Sequence, residues 1–345
     1  MSLYTEQKTQ KYIDYKFKPA SFTIIDEITK TLWGQALNSI SIPKNGNPYK
    51  CLLDEAPKIA REFMPTDLLR AIASIKQPCS SPYRLLSNLP IDYPLTGVPI
   101  DGKRPSWKKS WVSEGVLIGI ASALELEPLS YLQEKEGLLV HEVAPIPGQE
   151  SQLSNSGRIS LGFHTDHAIL HRRYRPEFLM LLGLVNPGQT PTLIACLDDA
   201  LEKLALYYKD VLRQPKFRIE MPDSVCVWNG KKLLSEWKPL LTNGCSGEAE
   251  IAGNLHSVRP MDKEAEQALQ AFINVLTQVA QEIILEPGML LLFDNHRCLH
   301  ARNSVKQERW LQRLFCCRSL TNLRQVETAV TSSSYIFDMQ TLLLE

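Results

Sequence analysis

The chain has 345 residues, 44% of them hydrophobic and 22% charged, the balance of an ordinary globular protein with enough length to bury a sizeable core. Its 38 basic and 38 acidic residues cancel, so there is no electrostatic footprint for nucleic acid or an anionic membrane, and a small-molecule partner is expected. Eight cysteines include no Cys-x-x-Cys pair, which argues against structural zinc and against a disulfide framework.

Roughly the first 75 residues are expected to be mainly helical. Leu53–Phe63 carries apolar residues at helical spacing, and Thr66-Asp67 is a candidate N-cap for a helix over Leu68–Ile75. Proline and glycine punctuate Leu89–Pro105, which reads as an extended loop. Glu114–Leu126 returns to a helical pattern that Pro128 is expected to end.

From Leu138 the texture changes to short β-type runs. The candidates are Leu138–Ala144, Arg158–Phe163, Phe178–Val185, Thr192–Ala195, Lys216–Ile219, Val225–Trp228, Met289–Phe293, Cys298–Asn303 and Trp310–Arg318. Two helices interrupt them: Asp198–Tyr208, and Asp262–Gln281 with Asp262 as its cap and Ala265, Leu269, Phe272, Leu276 and Val279 on one apolar stripe. The vicinal Cys316-Cys317 pair is expected to place its thiols on opposite faces of a buried strand. The pattern predicts a mainly β fold, a sandwich or barrel core with supporting helices. One domain over 1–345 is the economical division: a helical N-terminal extension over 1–75, a core with inserts over 76–320, and a tail over 321–345.

The chemistry gathers around His164-Thr165-Asp166. A strand has period two, so His164 and Asp166 point to one side and can present an imidazole and a carboxylate to one ion. His300, in the strand-like run Cys298-Leu299-His300-Ala301-Arg302, is the candidate third ligand. Two histidines and one carboxylate on one face of an ion form the facial triad of non-haem Fe(II) oxygenases and leave positions open for reactants. Arg309 and Arg313 lie four apart on the next run, where a strand turns both guanidinium groups to the same face, each a planar fork for a carboxylate.

Phe163-His164-Thr165-Asp166, the Asp294-Asn295-His296-Arg297 turn, His300-Ala301-Arg302 and Arg309-Trp310-Leu311-Gln312-Arg313 resemble the clavaminate synthase-like branch of the Fe(II)/2-oxoglutarate oxygenases. The resemblance extends upstream through Leu89-Pro90-Ile91-Asp92 and Leu138–Gly148, and takes in His171 and Arg175-Pro176-Glu177-Phe178-Leu179, so that it covers roughly residues 80–320. It implies a double-stranded β-helix (jelly roll) with His164, Asp166 and His300 as iron ligands. Arg309 matches the arginine that grips the distal carboxylate of 2-oxoglutarate, and Thr192 the threonine that helps it. Arg313 matches a second arginine that meets a substrate carboxylate, with Ser154 and Ser156 as further candidate contacts.

The resemblance also implies the reaction: hydroxylation of an unactivated C–H bond of an amino acid or derivative, using Fe(II), 2-oxoglutarate and O2 and releasing succinate and CO2. Asp166 stands where the branch commonly has Glu, and either can complete the triad; halogenating relatives lack a ligating residue there. In arginine hydroxylases of the branch, acidic residues before the last long helix are expected to bind the guanidinium. Glu250–Arg259 offers Glu250, Asn254 and His256 but no aspartate, which weighs against an arginine substrate.

Of the other histidines, His167 is expected to face away from the triad if the strand persists; His296, four residues before His300, is an alternative ligand but is expected to belong to the turn; and His171 is expected to brace a loop or to stand behind the ligands, while His141 and His256 are unassigned. Desaturation or oxidative cyclisation by the same iron chemistry, a zinc hydrolase and a non-catalytic binding module remain alternatives. Met1–Lys8 has no apolar signal core, and the longest apolar runs fall well short of the roughly 20 residues of a membrane helix. A cytoplasmic location is therefore expected.

Overall fold

Period-two alternation in the second half of the chain becomes, in a computed structural model, two sheets that share one buried interior. The structure describes residues 22–43, 46–77, 79–221, 233–326 and 335–344. In chain order the strands are β1 (Phe22–Ile24), β2 (Tyr83–Ser87), β3 (Glu127–Tyr131), β4 (Val140–Val143), β5 (Leu161–His164), β6 (Phe178–Val185), β7 (Thr192–Cys196) and β8 (Phe217–Arg218). They continue with β9 (Leu241–Asn243), β10 (Ala249–Ile251), β11 (Arg259–Pro260), β12 (Gln281–Ile283), β13 (Leu290–Asp294), β14 (Cys298–Arg302), β15 (Trp310–Cys317) and β16 (Ile336–Phe337). The large sheet runs β1-β2-β13-β6-β15-β3-β16, with β4 also on β15, and the small sheet runs β12-β7-β14-β5.

Alternate residues of the large sheet serve two cores. Leu181, Leu291, Phe293, Leu311 and Phe315 join Ile194 and Leu299 of the small sheet in the cluster between the sheets. Leu182, Leu290, Leu292, Trp310 and Leu314 pack with the N-terminal helices on the opposite face. Cys316 belongs to the outer cluster and Cys317 to the inner one, so the two thiols do lie on opposite faces of β15. The fold is the expected jelly roll: mainly β, with a helical layer contributed by the start of the chain.

That layer is built by α1 (Glu27–Asn38), α2 (Pro48–Phe63), α3 (Thr66–Ala73) and α4 (Val112–Ala123). Asp26 caps α1 by accepting from the N–H groups of Ile28 and Thr29, and Asn47 caps α2 with a proline following it at the first helical position. Thr66 does not cap α3. It is the first residue of that helix, and Pro65 stands at the cap with no side-chain bond. Residues 112–121 of α4 are all buried because the helix is covered on every side by α1, α2 and the large sheet. Pro128 does not end α4, which stops at Ala123; the proline lies inside β3, paired with Cys316.

Three further helices support the small sheet. The expected helix Asp198–Tyr208 is in fact two, α5 (Leu197–Lys203) and α6 (Leu206–Leu212). An extended Leu204 separates them and is itself buried in the inner cluster with Val211 and Leu212. By contrast α7 (Lys263–Val279) follows its sequence pattern: Asp262 accepts from the Ala265 N–H at 2.8 Å, and Ala265, Leu269, Phe272 and Leu276 are buried. Residues 321–344 hold α8 (Thr321–Val326), β16 and α9 (Met339–Leu344), and β16 joins the large sheet beside β3. The Val225–Trp228 strand lies outside the described residues. No helix among the described residues is long and apolar enough to cross a membrane.

Candidate metal centre and its two pockets

His164 ends β5 directly opposite His300 in β14, with their ring centroids 4.0 Å apart. The outer edge of β5 is held by residues 253–255, where Gly253 O accepts from the Thr165 N–H at 2.9 Å and the Leu255 N–H donates to Phe163 O at 3.0 Å. Asp166 sits just past the strand end. Its N–H donates to Asn295 Oδ1 at 2.9 Å, and Asn295 Nδ2 donates back to Asp166 O and to Pro176 O, both at 3.0 Å. The buried Asn295 of the β13–β14 turn therefore ties the Asp166 loop to the strand that carries His300.

The side chains converge. Asp166 Oδ1 lies 3.5 Å from His164 Nε2 and 3.7 Å from His300 Nε2. Among the described residues this cluster can hold a metal ion, one ligand atom from each member lying within 4.8 Å of the others. His164 Nδ1 is 2.8 Å from Gly162 O, and because a carbonyl only accepts, Nδ1 carries the proton and Nε2 keeps the lone pair that faces the cluster. Burial pushes His300 down to about 3, with the neighbouring His164 adding to the effect, so its ring is neutral. Burial alone would raise Asp166, but Arg313 and the two imidazoles hold it well below the usual carboxylate range. Two imidazoles and one ionised carboxylate are the donor set that Fe(II) takes. His296, four residues before His300, faces elsewhere, with its Nδ1 3.7 Å from Glu250 Oε1.

A first pocket opens beside His164 and His300 and is lined by Leu161, Leu181, Thr192, Arg302 and Arg309. Arg309 Nη2 donates to Thr192 Oγ1 at 2.7 Å. Burial lowers Arg309 to about 9, and the charge of Arg302 adds to the effect, yet the guanidinium remains cationic near neutrality.

A second pocket shares Asn155, Leu161, His164 and Arg313 with the first and takes in Asp166, with Glu134, Ser154, Asn254 and His256 also in its walls. Arg313 shares the inward face of β15 with Leu311 and Phe315. It donates from Nη1 to Asp166 Oδ2 at 2.9 Å and from Nη2 to Glu134 Oε1, and lies over the Phe315 ring. Behind it, Ser130 Oγ donates to Leu138 O at 2.7 Å and so accepts from His141 Nε2; His141 Nδ1 then accepts from Arg313 Nη2 at 2.9 Å. Burial would raise Glu134, but Arg313, His141 and His167 hold it below the usual carboxylate range.

His167 departs from expectation. The strand does not persist past His164, and a left-handed backbone (φ 55°) at His167 turns its ring into the second pocket's wall. There its Nε2 is 2.9 Å from Glu134 Oε2 and its ring packs on Tyr131. Ser154 is buried in the same wall. Ser156 lines neither pocket, its N–H donating to Ser154 Oγ at 3.2 Å. His171 does brace a loop, accepting from the Arg173 N–H. Glu250 is engaged by a two-pronged ion pair with Arg172 and is no free carboxylate for a substrate. Glu134 and Asn155 escape a sequence reading because they lie in turns and irregular segments with no motif around them.

Residues 237–315 match the family described as Taurine catabolism dioxygenase TauD, TfdA family. The chain is 28% identical over 322 residues to an L-asparagine oxygenase of Streptomyces coelicolor, covering 91% of each chain. It is 26% identical over 277 residues to clavaminate synthase 2 of Streptomyces clavuligerus, covering 76% of this chain and 82% of that one. Among solved structures, an asparagine oxygenase in complex with Fe(II), 2S,3S-3-hydroxyasparagine and succinate superposes with a TM-score of 0.80 at 25% identity, covering 92% of this chain and 99% of that one. The chain is an Fe(II)- and 2-oxoglutarate-dependent oxygenase that is similar to the TauD/TfdA family and to clavaminate synthase 2.

Proposed function

We propose that the protein hydroxylates an unactivated C–H bond of a free α-amino acid or a close derivative, and that the residues divide the work as follows. His164, Asp166 and His300 hold the iron, leaving one side of it open to both pockets. Arg309, oriented by Thr192, takes the distal carboxylate of 2-oxoglutarate in the first pocket. Arg313 and Glu134 meet the α-carboxylate and α-ammonium groups in the second. The chemistry that bound iron supplies is the coupling of 2-oxoglutarate and O2 to substrate oxidation: one oxygen atom goes to the substrate C–H, the other to succinate, and CO2 leaves.

What the protein adds is placement. An amino acid's two head charges are the reverse of those presented by Arg313 and Glu134, so the head is oriented and the side chain is directed past Asp166. The remaining wall, Ser154, Asn155, Asn254 and His256, carries no free carboxylate, and Asn254 Oδ1 is buried without a partner. A short polar, uncharged side chain suits such a wall better than a cationic one. Ser154 is kept as a contact of that side chain, and Ser156 acts only through Ser154. We read 1–345 as one catalytic domain, the helices of 1–75 forming its outer layer and 321–345 its tail. The unpaired cysteines among the described residues suit a reducing compartment such as the cytoplasm.

The observation that carries the reading is the meeting of the three ligand atoms within 4.8 Å at the mouth of the Arg309–Thr192 pocket. Anaerobic reconstitution with Fe(II), followed by O2 and an amino-acid panel, tests it. Succinate release should depend on one or a few members, with a product 16 mass units heavier (about one oxygen atom), and should be lost in His164→Ala and Arg309→Ala. Substrate-dependent succinate release by His164→Ala would overturn the metal assignment.

A further inference from the structure

Arg302 enters the first pocket from β14, where it stands directly opposite Thr192 of β7. The Thr192 hydroxyl accepts from Arg309, so Arg302, Thr192 and Arg309 close one end of that pocket together. Both arginines are almost wholly buried, Arg302 at 7% exposure and Arg309 at 3%. Arg302 Nη2 donates to Ile159 O at 2.7 Å, but Nε of each arginine is buried without a partner. Among the described residues no carboxylate lies within ion-pair distance of either guanidinium.

Two buried like charges with no counterion disfavour the empty pocket, because each has lost its hydration and repels the other. A carboxylate entering between them satisfies both. We infer that Arg302 is a second cationic contact of the co-substrate, so that 2-oxoglutarate is selected by a guanidinium pair and not by Arg309 alone. The inference rests on the proposed function, since it takes the first pocket as the co-substrate's. The competing role for Arg302 is structural: a tie to the Ile159 carbonyl that holds the segment before β5.

Calorimetric titration of the Fe(II)-loaded protein under argon separates these roles. Two acids are compared: 2-oxoglutarate, and 2-oxovalerate, which has the same 2-oxo acid head and a methyl group in place of the distal carboxylate. Arg302→Gln should weaken 2-oxoglutarate by about thirtyfold or more while moving 2-oxovalerate by less than about threefold. Arg302→Lys, which keeps the charge and guards against a folding defect, should recover part of the loss. The rise in melting temperature that saturating 2-oxoglutarate gives the wild type should shrink in Arg302→Gln. If 2-oxoglutarate binds Arg302→Gln as tightly as wild type while 2-oxovalerate still binds, Arg302 is only a tie and the proposed function stands. Failure of both acids to bind the wild-type protein would remove the proposed function and this role with it.

Discussion

Arg313 and Asp166 form a 2.9 Å ion pair, Nη1 to Oδ2, in which the carboxylate turns its other oxygen toward His164 and His300. The guanidinium thus fixes the rotation of the carboxylate and keeps it ionised, while its second nitrogen reaches Glu134. One side chain on β15 connects the metal centre to the wall of the second pocket. Arg313→Gln should therefore lower Fe(II) affinity by about tenfold or more and kcat/KM for the amino acid by about a hundredfold or more. Arg313→Lys should restore metal affinity better than substrate recognition, because it keeps the charge and loses the fork. Iron titration and steady-state kinetics on the two variants check this; unchanged values of both in Arg313→Gln would refute it.

Thr192→Val keeps the shape of the residue and removes the acceptor for Arg309 Nη2. The KM for 2-oxoglutarate should rise by about tenfold, in line with loss of one hydrogen bond to a charged group, with kcat nearly unchanged. A fall in kcat at saturating co-substrate would show instead that Thr192 shapes the iron environment.

Glu142 of β4 faces the outer cluster, where it accepts from Trp310 Nε1 at 2.6 Å and Gln312 Nε2 at 3.0 Å. Burial first, then the negative charge of Glu114, pushes its carboxyl up to about 7. The folded state therefore keeps this proton where the unfolded chain has lost it. Glu142's contribution to stability is intact below about pH 4.5, declines as pH rises toward 7, and is constant beyond. His141, on the opposite face and held neutral down to about 3 chiefly by burial, has the opposite slope and costs stability as pH falls below 6.5. Chemical denaturation of Glu142→Gln and wild type from pH 5 to 8 isolates the acid: the difference should shift in the variant's favour by about 2 kcal/mol over that range. A pH-independent difference would contradict it.

Gly183 lies in β6 where the 285–289 turn crosses it, donating to Met289 O at 2.8 Å and accepting from the Gly288 N–H at 2.9 Å. A Cβ there would run into the Glu286 carbonyl oxygen and within 2.8 Å of that of Leu285, both backbone atoms with no side-chain freedom to yield. Gly183→Ala should cost about 2–3 kcal/mol of stability and lower the melting temperature. Iron binding at low temperature should survive, since no ligand lies on β6.

The parts of this protein legible in its sequence are those governed by local periodicity. A period of two is enough to put Leu311, Arg313 and Phe315 on one face of β15 and to send Cys316 and Cys317 to opposite cores. A period of 3.6 and a capping aspartate suffice for α7. The same local rules brought His164 and Asp166 into view, and the spacing of Arg309 and Arg313 marked an anion pocket nearby. Tertiary structure alone decided what depends on distant segments meeting. The break between α5 and α6 at the extended Leu204 leaves no mark in the helical pattern, and Pro128 joins a strand because β15 is there to pair with it. Glu134, His167, Asn155 and Asn254 come together in one wall although no motif links them, because turns are placed by the sheets they connect. Arg302 is the clearest case: in sequence it belongs to the His300-Ala301-Arg302 motif but has no role assigned to it. Only the facing of β14 and β7 encloses it with Arg309, away from water and from any carboxylate of the described residues, where its charge calls for a ligand.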